Sequence, residues 1–171
     1  MNTSRADTIW RLMAPDDLGY VTTLAARVHP DYPEDASIFA ERQRLAPTGC
    51  LSLIVNGQLG GYLISHPWRG LISPPLNTLL ESLPAPPDQW YIHDLVVAPE
   101  ERGKGHAQTG IALAEDAARK AGLRTLTLTS TRHALQFWAR QGFTPETVSA
   151  EEQAVLASYD PEASLLSRPV G

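Results

Sequence analysis

Between His93 and Gly110 the chain reads HDLVVAPEERGKGHAQTG, which sets an imidazole, an apolar run, two cationic side chains and two glycines ahead of a helix. An unperturbed imidazole titrates near pH ~6.5, so His93 can accept a proton at neutral pH without a large environmental shift. A strand ending at Val97 and a helix opening near Gly105 leave the first helical amides unpaired, with the positive end of the dipole behind them. Such a turn binds an anion, most often phosphate. Gly103 and Gly105 allow close backbone approach because they lack Cβ, and Arg102 and Lys104 add positive charge at the same place. Two other phosphate motifs do not fit. A dinucleotide fingerprint needs a third glycine where Gln108 stands, and a nucleotide-triphosphate loop needs a Gly-Lys-Ser/Thr run that does not occur.

The elements around this segment are legible from periodicity. Thr8–Met13 reads as a strand, and the helix after Pro15 places Leu18, Val21, Leu24, Ala25 and Val28 on one buried face. HPDYPED breaks that helix, and a second one covers Ser37–Leu45. Asn56-Gly57 between two apolar runs predicts a hairpin. Pro67–Asp88 is a proline-rich loop with a brief helix expected at Asn77–Ser82, long enough to suggest a flap facing a substrate. The strand WYIHDLVV follows, then a helix to about Ala121 closed by Gly122. LRTLTLTS alternates with Leu126 and Leu128 on one face, TRHALQFWARQ is a helix ended by Gly142, and a last strand lies near Ser164–Arg168. This order implies an α/β protein of the α+β kind, with helices flanking a mixed sheet and no doubly wound nucleotide fold.

Composition bounds the function. The 171 residues, 43% hydrophobic, suit one domain over 1–171 with one sizeable core. A net charge of −5 offers no broad basic surface for nucleic acid or anionic membrane, and welcomes a cationic substrate. The single cysteine, Cys50, excludes an internal disulfide and a multi-thiolate metal site, and no metal is expected from the scattered histidines. The N-terminus has no signal-peptide pattern and no segment is long and apolar enough to span a bilayer, so a cytoplasmic protein is expected.

Arg102-x-x-Gly105-x-Ala107 after LVVAPEE resembles the pyrophosphate-binding motif of the GNAT superfamily of acyl-CoA N-acyltransferases. STRHALQFWARQGF is similar to that family's second signature. The resemblance covers nearly the whole chain, and is weak before Cys50 and over Pro67–Asp88. It implies a mostly antiparallel GNAT-like sheet and acetyl-CoA as co-substrate. The pyrophosphate would be held by Arg102, Gly103, Lys104, Gly105, His106, Ala107 and Gln108. The pantetheine arm would run along Leu95, Val96 and Val97 like a missing strand, with Thr131, Ala134 and Phe137 also at the cofactor. Homodimers recur in the family, with no interface legible in these residues.

The implied reaction is acetyl transfer to a primary amine, of a small molecule, in a ternary complex without an acyl-enzyme. Strand alternation places Tyr91, His93, Leu95 and Val97 on one face and Ile92, Asp94 and Val96 on the other, so His93 is the expected general base. Asp94, His66 and His106 are weaker candidates. Two family positions differ here: Trp138 replaces the tyrosine that protonates the departing thiolate, and Thr131 replaces an asparagine. An indole N–H is no useful acid, which leaves water, Tyr91 or Tyr159 for that step. The alternative is a non-catalytic acyl-CoA-binding module that has lost acid catalysis. Glu81 and Asp88 near the proline-rich loop favour a cationic acceptor, and Trp68, Trp90 and Leu71–Leu80 are candidates for its apolar wall.

Overall fold

A computed structural model describes residues 7–171; the first six residues of the N-terminal reading lie outside the described residues. Among the described residues, seven strands form one sheet and five α-helices flank it. β1 (Thr8–Leu12) is followed by α1 (Leu18–Val28) and α2 (Ala36–Leu45), then by β2 (Cys50–Val55), β3 (Gln58–Trp68) and β4 (Gln89–Val97). α3 (His106–Lys120), β5 (Thr125–Ser130) and α4 (Leu135–Arg140) precede β6 (Thr144–Pro145), α5 (Ala150–Tyr159) and β7 (Ser164–Pro169). The sheet order is β1-β2-β3-β4-β5-β7-β6, with β4–β5 the parallel pair and the other pairs antiparallel. The mixed, mostly antiparallel sheet expected from the sequence is the one found.

Local chemistry accounts for most of these elements. Asn56 and Gly57 both take positive φ, 51° and 79°, the geometry of a two-residue hairpin whose twist matches its strands. α1 buries Val21, Leu24 and Ala25 against Tyr62, Ile64 and Val96 on one face of the sheet. α3 lies on the other face, where Ile111, Ala114 and Ala118 pack with Leu63, Ile92, Leu126 and Leu128. Its small residues let the helix approach closely: a Cβ at Gly110 would sit 2.9 Å from Cδ1 of Leu95.

Three expectations are corrected. The brief helix at Asn77–Ser82 does not form, because Asn77 and Glu81 take left-handed φ of 52° and 66°. Buried Glu41 instead accepts the amides of Leu80 at 2.6 Å and Glu81 at 3.0 Å, fixing the loop as a turn. α5 lies where the sequence suggested a loop; its start is marked by Ser149, whose hydroxyl accepts the Glu152 amide at 3.1 Å. The short β6 was also unanticipated, and β7 sits between it and β5.

Candidate active site

The site begins where two strands part. β4 and β5 pair over three positions, ending at Ile92 opposite Leu128, after which β4 continues through 93–97 without a strand partner on that side among the described residues. The resulting wedge opens into a cavity of about 910 Å3, lined by 93–97 of β4, the turn before α3, the start of α4 and the loop after α1. Unpaired strand amides and carbonyls facing a cavity can take up an extended ligand as an added strand.

A β-bulge sets the chemistry. β3 and β4 shift register so that Ser65 pairs with Ile92 while Ile64 pairs with Asp94, which makes His93 the extra residue. The strict alternation expected from the sequence is therefore wrong. Ile92 and Leu95 share the face of Leu63 and α3, whereas Asp94 and Val96 share the face of Tyr62, Ile64 and α1. His93 itself lines the cavity and meets Glu34 from the loop after α1, Nε2 to Oε1 at 2.7 Å. Both side chains are nearly inaccessible, 3% and 7% exposed. Burial pushes the Glu34 carboxyl up, but the attraction and hydrogen bond of His93 and the Asn77 amide outweigh it and hold Glu34 below the ordinary carboxylate range. A carboxylate can only accept, so the proton of a neutral His93 sits on Nε2, leaving Nδ1 as an acceptor. Nδ1 is buried and has no hydrogen-bond partner within the protein.

A second pair lies beside the first. His29 Nε2 donates to Asp94 Oδ1 at 3.1 Å, and the Tyr62 hydroxyl donates to Oδ2 at 2.5 Å. Burial pushes Asp94 up, but these two donors prevail and hold it below its usual value. Burial likewise lowers His29, yet Asp94 and Glu34 together leave it above the usual imidazole value. Asp94, the weaker candidate of the sequence reading, is thus part of the site. His29 and Glu34 were missed: the HPDYPED segment read only as a helix break, and nothing local to it signals a partner some sixty residues away.

At the other end of the cavity, Gly103 and Gly105 take φ of 79° and 83°, conformations that favour glycine. A Cβ at either would meet nothing within 4 Å, so the turn is an open cradle beside the first amides of α3. Arg102, Gly103, Gly105, His106, Ala107 and Gln108 line the cavity, as do Leu95, Val96, Val97, Thr131, Ala134 and Phe137. Lys104 is not brought into it; its half-exposed ammonium pairs at 2.8 Å with Glu101, which does line the cavity.

Other candidates fall away by position. His66 is buried outside the cavity, donating from Nδ1 to the Pro67 carbonyl, and burial pulls it down to about 3. Cys50 is buried in the core, its thiol pushed by burial up to about 12. Tyr91 and Tyr159 line the cavity, but their hydroxyls are engaged with Thr129 at 2.8 Å and with the Pro74 carbonyl. Trp138 contacts the cavity from the core, packed edge-on to Phe137 and Phe143. Of the proposed acceptor wall Leu76 alone lines the cavity; Trp68 and Trp90 belong to core packing, and Asp88 accepts the Gly70 amide. Among the described residues no cluster of three or more His, Cys, Asp or Glu could hold a metal, and no helix is long and apolar enough to cross a membrane.

A sheet splayed between one parallel pair, with an anion cradle at one end and an imidazole at the other, defines the acyl-CoA acyltransferase class of folds. The sequence profile of the Acetyltransferase (GNAT) family matches residues 9–143, and the chain belongs to that family. The GNAT-like decarboxylase of GphF, solved with isobutyryl-CoA, superposes with a TM-score of 0.80 at 16% identity, covering 95% of this chain and 100% of that one. Ard1 from Thermoplasma volcanium gives 0.71 at 13% identity over 96% and 98% of the two chains. Naa50 from Arabidopsis thaliana, solved with a CoA-acetyl-peptide bisubstrate analogue, gives 0.70 at 14% identity over 94% and 97%. These likenesses are likenesses of fold. Among curated proteins none matches the sequence.

Proposed function

We propose that the protein is an acetyl-CoA-dependent N-acetyltransferase acting as one domain on the primary amine of a small molecule, with His93 as general base. The observation that carries this reading is the buried His93–Glu34 pair at the cavity wall, which leaves His93 Nδ1 without a partner in the protein. Family membership supports acyl transfer, and the CoA ligands of the GphF domain and Naa50 support a CoA-type co-substrate. The residues fit that group: an open glycine cradle for a pyrophosphate and an unpaired strand edge at 93–97 for an extended arm. Bound there, acetyl-CoA supplies the activated acyl group.

The chain's own residues then divide the work. Glu34 holds His93 in one tautomer, as an orienting carboxylate does in other imidazole bases. His93 Nδ1 takes the ammonium's proton, which makes the acceptor nitrogen a nucleophile. That nitrogen would form the amide bond as the carbon–sulfur bond breaks, giving up its second proton, and the departing thiolate would gain one proton. With both candidate tyrosine hydroxyls engaged, this reading uses water to relay the nitrogen's second proton to the thiolate. No acyl-enzyme is involved, since burial keeps Cys50 protonated and outside the cavity. The buried thiol is also in keeping with a cytoplasmic setting.

The non-catalytic acyl-CoA-binding reading draws on Trp138, which replaces an acid with core packing. His93→Ala separates the two. An acetyltransferase loses amine-dependent CoA release by at least ~100-fold while acetyl-CoA affinity holds, in line with the usual worth of a general base. A binding module shows no amine-dependent release in the wild type and nothing for the variant to lose.

A further inference from the structure

The acceptor end of the cavity has a composition that selects among amines. This inference rests on the acetyltransferase reading above. Arg102 is the one Lys or Arg side chain lining the cavity among the described residues, and it lies at the glycine turn, donating from Nε to the Val97 carbonyl at 3.2 Å. Two nearby cations are spoken for. Arg42 is fully buried, does not line the cavity and donates to Glu41 and the Thr78 carbonyl. Arg132 stands 3.9 Å from Asp160, whose carboxylate also accepts the Tyr32 hydroxyl.

Three carboxylates line the same end: Asp31, Glu34 and Asp94. The two histidines there, His29 and His93, each already turn Nε2 to one of these carboxylates. The cavity also presents apolar surface beside the polar edge of 129–131 and His133. Tyr32, Tyr91 and Tyr159 line it, and each spends its hydroxyl on a protein partner, Asp160, Thr129 and the Pro74 carbonyl respectively. What they present to an acceptor is ring surface, joined by Leu76 and Phe39. Ring faces beside carboxylates favour an ammonium with an apolar body. A substrate carboxylate would meet like charges with no lysine or arginine beside it, which disfavours its binding in a desolvated site.

We infer that the acceptor is a primary amine on an uncharged aromatic or aliphatic group, and that free amino acids are rejected by the carboxylates around His93. The test compares 2-phenylethylamine with phenylalanine, two amines that differ only in the carboxylate. Each is titrated calorimetrically into the protein with and without CoA, and each is assayed for acetyl-CoA-dependent acetylation. The expected result is binding of 2-phenylethylamine roughly 100-fold tighter than phenylalanine, with acetylation following the same order. Equal or tighter binding of phenylalanine, or no binding of either amine, overturns the inference. Preferential binding of 2-phenylethylamine without acetylation supports the pocket's selectivity and contradicts the acetyl-transfer reading, so the two claims fail separately.

Discussion

His93 and Glu34 stand 59 residues apart in the chain and 2.7 Å apart in the fold, both buried, with Nε2 of one directed at Oε1 of the other. The pairing fixes which nitrogen of a neutral imidazole carries the proton and which one is left as an acceptor. It joins the loop after α1 to the parted edge of β4, two elements that line the cavity.

Glu34→Gln keeps the side chain's shape and removes the charge that orders the imidazole. Steady-state kinetics should show kcat reduced by about 10- to 100-fold with the KM for acetyl-CoA unchanged, because Glu34 touches His93, the proposed base, and not the glycine turn. A merely structural Glu34 would instead lower thermal stability and leave the kcat of the folded fraction intact.

The backbone behind the cofactor edge is packed without slack. A Cβ at Gly61 would lie 2.5 Å from the carbonyl oxygen of Val96, a contact with main chain that cannot swing aside. Gly61→Ala should therefore cost about 1–3 kcal/mol in urea unfolding and also weaken acetyl-CoA binding in calorimetry, since β4 must move at the positions that line the cavity. Loss of stability with unchanged affinity would show that 95–97 does not hold the ligand.

How much of this was legible in the sequence differs from element to element. The turn from β4 to α3 was readable because its signals are local: an apolar strand, two glycines at positions that demand positive φ, and a helix with small residues on its packed face. The hairpin at Asn56-Gly57 was readable for the same reason. The face of each β4 side chain was not, because the bulge at His93 arises from pairing with β3 and leaves no mark in the β4 sequence. The His29–Asp94 and Glu34–His93 pairs close over more than fifty residues, beyond any spacing rule. α5 did carry a local signal, Ser149 three residues before Glu152, although its weakly amphipathic body obscured it.

The N-terminal strand is anchored by one carboxylate. Asp17 accepts two guanidinium bonds from Arg11 at 2.6 and 2.9 Å, the Ala14 amide and the Ser52 hydroxyl, and Arg11 chiefly, against the cost of burial, holds it down to about 2. A carboxylate depressed in the folded state stabilises the fold above its unfolded value near ~3.9 and loses that contribution as pH falls through the folded value. Asp17→Asn should lower stability at pH 7 by about 1–2 kcal/mol, discounted for the partial exposure of Arg11. The gap between variant and wild type in urea unfolding should shrink as pH falls from 4 towards 2. A gap independent of pH would assign the effect to lost packing.

The central claim is that the parted strands and glycine turn hold acetyl-CoA, and calorimetric titration of the wild type beside Gly105→Glu tests it most directly. Gly105 has φ of 83° and open space around it, so the variant strains the turn and sets a carboxylate in the anion cradle. The account predicts saturable binding of acetyl-CoA by the wild type and its loss in a folded variant. No binding by the wild type, or equal binding by both, would contradict it.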